Sequence, residues 1–516
     1  MSRNGAEFAL EAARAAGVEV CFANPGTTEM DLVAALDKAP EIRSVLCLFE
    51  GVATGAADGY GRIAGKPALT LLHLGPGFAN GIANLHNARR AGSPVVNLIG
   101  DHATWHLPAD APLTSDIESL AAPVSQFVRR STTPDAFGRD LVDAVAAATG
   151  SPSGVATLIV AQEAAWEAAE GESPILEKVA LPEPDAGEID RAVARLSAQG
   201  GRGGLLLGGV LSRESLVAAA RIQAQTGCQV WLDTFLPRLR EGRGVPNFPA
   251  IPYFPEQAME ALSGLESLVA VATRAPVAFF GYRSVGQSGL LPAGCEVMAL
   301  SGPGTDPAPG LLALAGALQA DPLAPVSEAS LAPLGDGEID VMSLGLAVAR
   351  WLPDEAILIN EAATSGLGWG VHGSAAAPHD VLNLTGGAIG QGIPNAVGAA
   401  IAAPDRRVVA LQADGSGMYT LQGLWTLARE ELDVTVIVCA NRAYRILQAE
   451  LGRMDAGEPG PIALGLTELS GPVIEWTRLA EGMGVPACQV SRNEELRDAL
   501  EARNASRGPF LIEVLL

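Results

Sequence analysis

The chain has 516 residues, 48% of them hydrophobic, with a formal net charge of −24 and a pI of about 4.6. That length allows about three domains with large cores, and so acidic a balance argues against nucleic acid or an anionic membrane surface as partner. Six cysteines (Cys21, Cys47, Cys228, Cys295, Cys439, Cys488) show no C-x-x-C spacing, which reads as buried thiols in a reducing compartment.

The first residues, Met1 to Glu7, lack an apolar signal core and lead into an amphipathic helix. Apolar runs such as Val269 to Gly281 fall short of the roughly 20 residues that span a bilayer. A cytoplasmic protein is expected. Two Pro- and acid-rich joints, from about Gly171 to Glu188 (Pro174, Pro182, Pro184) and from about Pro322 to Asp340 (Pro325, Pro333, Asp336), divide the chain into blocks 1–170, 189–321 and 341–516. Each block alternates β-rich runs (Ser93 to Ile99, Val155 to Val160, Gly204 to Gly209, Val277 to Gly281, Arg407 to Gln412, Pro509 to Leu515) with Ala-rich helical stretches. The expected fold class is α/β: three doubly wound parallel-sheet domains.

In the first block, Asn24-Pro25-Gly26-Thr27-Thr28-Glu29 follows a strand expected over Val18 to Phe22 and starts a helix. Glu50 is expected to end a strand over Val45 to Phe49, ahead of a glycine-rich stretch to Tyr60. His73 follows Leu69 to Leu72, and the run to Ile99 ends in Gly100-Asp101-His102. In open α/β sheets ligands bind beyond the carboxyl ends of strands, so these residues share one rim. Singly, each also has a structural reading: a helix-capping carboxylate, or a histidine satisfied by its neighbours. His106, near Pro108, reads as a surface or supporting residue.

The last block holds the most specific pattern. Ala413-Asp414-Gly415-Ser416 opens a helix, Val434 to Cys439 is a β-rich run, and Asn441 comes 27 residues after Asp414. A carboxylate and an amide oxygen at the ends of neighbouring parallel strands can meet on one divalent cation. Gly415 and Ser416 add backbone N–H groups and a hydroxyl at a helix start, where a diphosphate is favoured.

This segment resembles the thiamine diphosphate (ThDP) signature of a Gly-Asp-Gly opening and a closing Asn, with Ala413 in place of the first glycine. Together with Phe49-Glu50-Gly51 and Ala57-Asp58-Gly59-Tyr60, it makes the whole chain resemble ThDP enzymes of the branch containing benzoylformate decarboxylase and acetohydroxyacid synthase large subunits. The resemblance implies that the first block binds the aminopyrimidine, the middle block is structural or regulatory, and the last binds Mg²⁺ and the diphosphate. It implies an active site between two subunits, hence a homodimer at least, with a homotetramer expected.

The resemblance also distributes roles. Glu50 would hydrogen-bond the pyrimidine N1′, with Asn24, Pro25, Gly26 and Thr27 among the cofactor-binding residues. Ile389 would prop the cofactor into a V, and the carbonyl of Gly387 would take its 4′-amino group. Thr364, Ser365, Gly415 and Ser416 would bind the diphosphate; Asp414, Asn441 and the carbonyl of Ala443 would bind Mg²⁺. Tyr444, Ile446 and Leu447 would border cofactor and substrate, and His73 and His102 would be acid–base groups.

Departures narrow the activity. The middle-domain histidine of benzoylformate decarboxylase is missing: the comparable stretch reads Phe279-Phe280-Gly281-Tyr282-Arg283-Ser284, and no histidine occurs between His106 and His372. The FAD and keto-acid motifs of acetohydroxyacid synthase and the adjacent histidines of pyruvate decarboxylases are absent too, so FAD is not expected. The reading is a ThDP- and Mg²⁺-dependent 2-keto acid decarboxylase or carboligase that works through a carbanion-enamine on a small-molecule 2-keto acid or aldehyde. One alternative is an FAD-independent acetolactate synthase. A dinucleotide oxidoreductase needs G-x-G-x-x-G with an acidic residue about 20 positions on, which no segment supplies. A catalytically dead regulatory homologue is opposed by the intact Glu50, Asp414 and Asn441.

Overall fold

Runs of Val, Leu and Ile buried on both faces form the centre of each sheet, as parallel strands covered by helices require. A computed structural model describes residues 3–171, 174–176, 184–322, 329–453 and 458–516. Pro182 of the first joint and Pro325 of the second lie outside the described residues.

The first sheet contains β1 (Val20–Asn24), β2 (Arg43–Leu46), β3 (Ala68–His73), β4 (Val95–Asp101), β5 (Phe127–Ser131) and β6 (Val155–Ala161) in the order β2-β1-β3-β4-β6-β5, every pair parallel. The middle segment supplies β7 (Gly203–Leu207), β8 (Val210–Leu211), β9 (Gln229–Leu232), β10 (Arg238–Glu241), β11 (Ser267–Val271) and β12 (Glu296–Ala299). Four of these make the parallel sheet β12-β11-β7-β9. The last segment adds β13 (Ile357–Glu361), β14 (His379–Asn383), β15 (Val408–Ala413), β16 (Val434–Ala440), β17 (Ala487–Val490) and β18 (Phe510–Leu515). The third sheet runs β17-β18-β16-β15-β13-β14-β10-β8, so two short strands of the middle segment extend it. Three mainly parallel α/β units result, with one antiparallel pair, β10 against β14. Charge drives that pairing: Arg238 forms two bonds to the buried Asp380, at 3.0 and 3.1 Å, and Arg406 adds a third at 2.6 Å.

Two expectations change. Glu50 does not end a strand: β2 stops at Leu46, Phe49 caps in extended conformation, and Glu50 is the first residue of helix Glu50–Ala64. The run Val277 to Gly281 forms only an isolated bridge from Val277 to Gly289. Pro276 withholds an N–H just ahead of the bridge, and Phe279 and Phe280 point outward, 42% and 53% exposed, where a central strand would bury them.

Helix Glu50–Ala64 packs on helix Gly392–Ala402 closely enough that glycine is required at the crossing. A Cβ on Gly398 would strike the carbonyl of Ala56, and one on Gly59 would strike the backbone of Asn395. Mid-helix glycine costs about 0.5–1 kcal/mol relative to alanine, and here the close approach offsets it. Beside the crossing, the buried Arg62 binds Asp58 (2.5 and 2.8 Å), the carbonyl of Asn383 (2.7 Å) and the side chains of Thr385 and Gln391. The helix that Glu50 opens therefore also anchors the loop that carries Gly387 and Ile389.

Candidate active site

The first rim is built on the ends of β1, β3 and β4. Asn24 closes β1, and its Nδ2 donates to the carbonyl of Cys47 (2.7 Å), drawing in the turn before Glu50. After Pro25, Gly26 lies against the His73 imidazole, where any Cβ would collide with the ring. Thr27 is exposed and opens the short 3₁₀ turn Thr27–Glu29. Glu29, a residue the sequence reading left unassigned, is fully buried. Its Oε2 accepts from Gly26 N (2.7 Å) and lies 2.8 Å from His73 Nδ1, while Oε1 accepts from Thr28 Oγ1 at 2.6 Å. The spacing from Gly26 to Glu29 is that of a capping box, a signal that could have revealed it. With Nδ1 turned to this carboxylate, Nε2 is the ring nitrogen of His73 left to face the rim.

Glu50 is half-buried; its Oε2 accepts from Asn80 Nδ2 (3.0 Å), and Gly77 packs beside it. His102 follows the buried Asp101, whose carboxylate accepts His102 N (2.8 Å) and pairs with Arg130. Its Nε2 is buried with no partner among the described residues. The His102 ring meets that of His106 edge to face, centroids 5.3 Å apart. His106 is therefore a direct neighbour of His102.

The second rim is at the ends of β13, β15 and β16. β15 and β16 are adjacent and parallel, with Ala413 opposite Cys439, so Asp414 and Asn441 emerge side by side. Asp414 is 3% exposed, and both its oxygens accept backbone N–H groups: Gly415 at 2.8 Å and Arg442 at 2.7 Å. Arg442 takes a left-handed φ of 55° to aim that N–H, at a cost of about 1–2 kcal/mol. Burial pushes the Asp414 carboxyl above its usual range, and among the described residues no ion pair reaches it. A buried carboxylate in that state fits a divalent cation.

Asn441 donates to Ser365 Oγ (3.2 Å), and its Oδ1 accepts from Ala443 N (3.0 Å), while the Ala443 carbonyl accepts no backbone hydrogen bond among the described residues. Ser365, with the half-buried Thr364, lies in the 3₁₀ turn Ala363–Gly366. Ser416 takes a 2.5 Å bond from Gln412 Nε2, and Gly415 lies under the Tyr444 ring, where a Cβ would not fit. Ile446 is half-buried and Leu447 exposed in the first turn of helix Arg445–Arg453. Cys439 is no nucleophile: burial, then the nearby Asp414, pushes its thiol up to about 12.

Between the rims, Gly387 (φ 76°) and Ile389 occupy a loop that Asn84, His86 and Asn87 hold through the carbonyls of Gly390, Gly386 and Ala388. The Phe279 ring covers Gly387. Tyr282 donates to Glu450 (3.0 Å), docking helix Arg445–Arg453 on the middle segment. Among the described residues, no hydrogen bond or ion pair joins Glu50, His73 or His102 to residues 364, 365, 414–416 or 441–446. Within one chain the two rims meet indirectly, through the loop of Gly387 and Ile389.

Parallel α/β units with an acidic, backbone-lined strand end beside a helix start have the chemistry to hold a metal-bound anionic cofactor. Residues 3–120 match the thiamine pyrophosphate enzyme N-terminal TPP binding domain, and residues 368–514 match the corresponding C-terminal TPP binding domain. A chain of Mycobacterium tuberculosis (strain H37Rv), provisionally named acetolactate synthase large subunit IlvX, is 48% identical over 516 residues, covering 99% of each chain. Benzoylformate decarboxylase of Pseudomonas aeruginosa (strain PAO1) is 27% identical over 98% of this chain and 97% of that one. In fold, the chain matches a ThDP-dependent 4-hydroxybenzoylformate decarboxylase of Rhodococcus jostii RHA1 with a TM-score of 0.85, at 24% identity over 99% of this chain and 98% of that one. The chain belongs to the thiamine pyrophosphate enzyme family. It is a ThDP-dependent enzyme similar to both acetolactate synthases and benzoylformate decarboxylases, which sets aside the dinucleotide alternative.

Proposed function

We propose that the protein is a Mg²⁺-dependent 2-keto acid decarboxylase with carboligase capacity, acting on a small-molecule 2-keto acid, with or without an acceptor aldehyde. The observation that carries the metal is Asp414: buried, bonded to two backbone N–H groups, and next to Asn441 on the neighbouring strand. In this reading Asp414, Asn441 and the carbonyl of Ala443 hold Mg²⁺, and Thr364, Ser365, Gly415 and Ser416 hold the diphosphate. Bound ThDP would supply an acidic carbon whose conjugate base is a carbon nucleophile, and a cationic ring able to take up the electron pair released with CO₂. Glu50 would bind the pyrimidine ring, the Gly387 carbonyl would take its amino group, and Ile389 would pack beneath the cofactor. His73, oriented by Glu29, moves a proton through Nε2, and His102 does so through its unpartnered Nε2.

Since no direct hydrogen bond among the described residues joins Glu50, His73 or His102 to the clamp within one chain, Glu50 of one subunit pairs with the Asp414 clamp of another in a homodimer or homotetramer. Blocks 1–170, 189–321 and 341–516 then serve as pyrimidine-binding, central and diphosphate-binding domains. A second reading, FAD-independent acetolactate synthase, is favoured by the name of the 48% identical relative. A screen of 2-keto acids with and without acceptor aldehydes, with ThDP and Mg²⁺ and with products identified, separates them. Aldehyde release supports decarboxylation, acetolactate from pyruvate the second reading, and inertness toward every 2-keto acid refutes both.

A further inference from the structure

Glu361 is the last residue of β13 and is 4% exposed. Oε1 accepts from Gly390 N at 2.5 Å, and Oε2 accepts from Gly392 N and from Gln412 Nε2 at 3.2 Å. The same Gln412 Nε2 donates to Ser416 Oγ. Burial pushes the Glu361 carboxyl upward, against the pull of its N–H donors. Among the described residues no cation pairs with it, so its partners are the backbone of one loop and one amide.

That loop is the one carrying Gly387 and Ile389. Helices of the first segment grip its early part, through Arg62 to Thr385, His86 to Gly386, and Asn87 to Ala388. Glu361 grips its far end from the opposite side and fixes both N–H groups that flank Gln391. Gly390 turns its N–H to this carboxylate with a φ of 98°, a conformation that glycine adopts freely. Glu361, Gln412 and Ser416 thus form a continuous chain of side chains from the Ile389 loop to the strand end that carries Asp414.

We infer that Glu361 is a positioning residue, which sets the loop of Gly387 and Ile389 against the cofactor and couples it through Gln412 to the diphosphate site. This rests on the placement of ThDP proposed above. It adds that the bend and the phosphate grip are set by one buried carboxylate that touches neither ring nor phosphate.

The test compares wild type, Glu361→Gln and Gln412→Leu by calorimetric titration of the apoprotein with ThDP at fixed Mg²⁺, and by hydrogen–deuterium exchange at ThDP C2 under saturating cofactor. Glutamine turns an NH₂ toward one glycine N–H, and losing a hydrogen bond to a charged group is worth about ten- to a hundredfold. The expected result is ThDP affinity weakened by about that factor, and slower C2 exchange even at saturation, with the apoprotein still melting cooperatively. Wild-type affinity and exchange in Glu361→Gln would overturn the inference. If Glu361→Gln does not fold, Gln412→Leu decides: weaker ThDP binding supports the coupling and an unchanged titration overturns it. Wild-type protein that fails to bind ThDP at all would instead refute the cofactor placement itself.

Discussion

Glu29 Oε2 lies 2.8 Å from His73 Nδ1, with the carboxylate sealed from solvent and the imidazole 22% exposed. A buried acceptor behind a partly exposed histidine fixes which ring nitrogen faces the site. Replacing His73 with Ala is therefore expected to slow turnover of the true substrate by at least about 10²-fold, within the range of general acid–base groups, with ThDP affinity intact. Glu29→Gln should cause a smaller loss of turnover, because the carboxylate that orients Nδ1 is gone. Wild-type turnover in Glu29→Gln means that Glu29 only caps the turn.

His102 and His106 touch, so variants of the two are coupled and are best read as a cycle. His102→Ala is expected to change the ratio of aldehyde release to carboligation, and His106→Ala to change it less. Equal ratios in wild type and both variants would assign these rings to packing.

Glu50→Gln should retain ThDP and slow proton exchange at C2, since an amide supports the imino tautomer less well than a carboxyl group. Exchange at the wild-type rate would leave Glu50 as the helix-opening partner of Asn80 and nothing more.

Asp380 ties β10 of the middle segment to the last sheet through Arg238, and Arg406 of the last segment pairs with the same carboxylate. Burial works against its charge, but the two guanidinium groups outweigh it and hold the carboxyl below its usual value of 3.8. A depressed folded pKa gives stability that is present above the unfolded value and lost as pH falls through the folded one. Asp380→Asn is expected to cost about 2 kcal/mol at neutral pH, less than the roughly 3–5 of a fully buried broken pair because both arginines are partly exposed. It should also flatten the acid limb of the stability curve; denaturant melts at neutral and acid pH that show no difference would contradict this.

The strand ends were legible because apolar runs buried on both faces stop at polar residues: Leu72 before His73, Ala413 before Asp414, Ala440 before Asn441. The same logic failed at Phe49-Glu50, where a four-residue edge strand ends early and the carboxylate falls to a helix start. Glu29 and Glu361 escaped because an acidic residue after a strand reads as a solvated cap; only the tertiary closeness of Gly100 above one, and of Gly390 and Gly392 around the other, shows each to be buried. β10 escaped because Arg238-Leu239-Arg240-Glu241 carries charge in place of β pattern, and its partner Asp380 lies far along the chain. The run around Phe279 looked like a strand because apolar content alone cannot separate a core strand from an aromatic wall.

The most direct test titrates the metal-free apoprotein with ThDP by calorimetry, with and without Mg²⁺, for wild type and Asp414→Ala. Saturable ThDP binding that requires Mg²⁺ in wild type and is lost in a folded Asp414→Ala variant is the predicted result. ThDP binding that is indifferent to Mg²⁺, or equally strong in Asp414→Ala, would contradict the clamp and the proposed chemistry built on it.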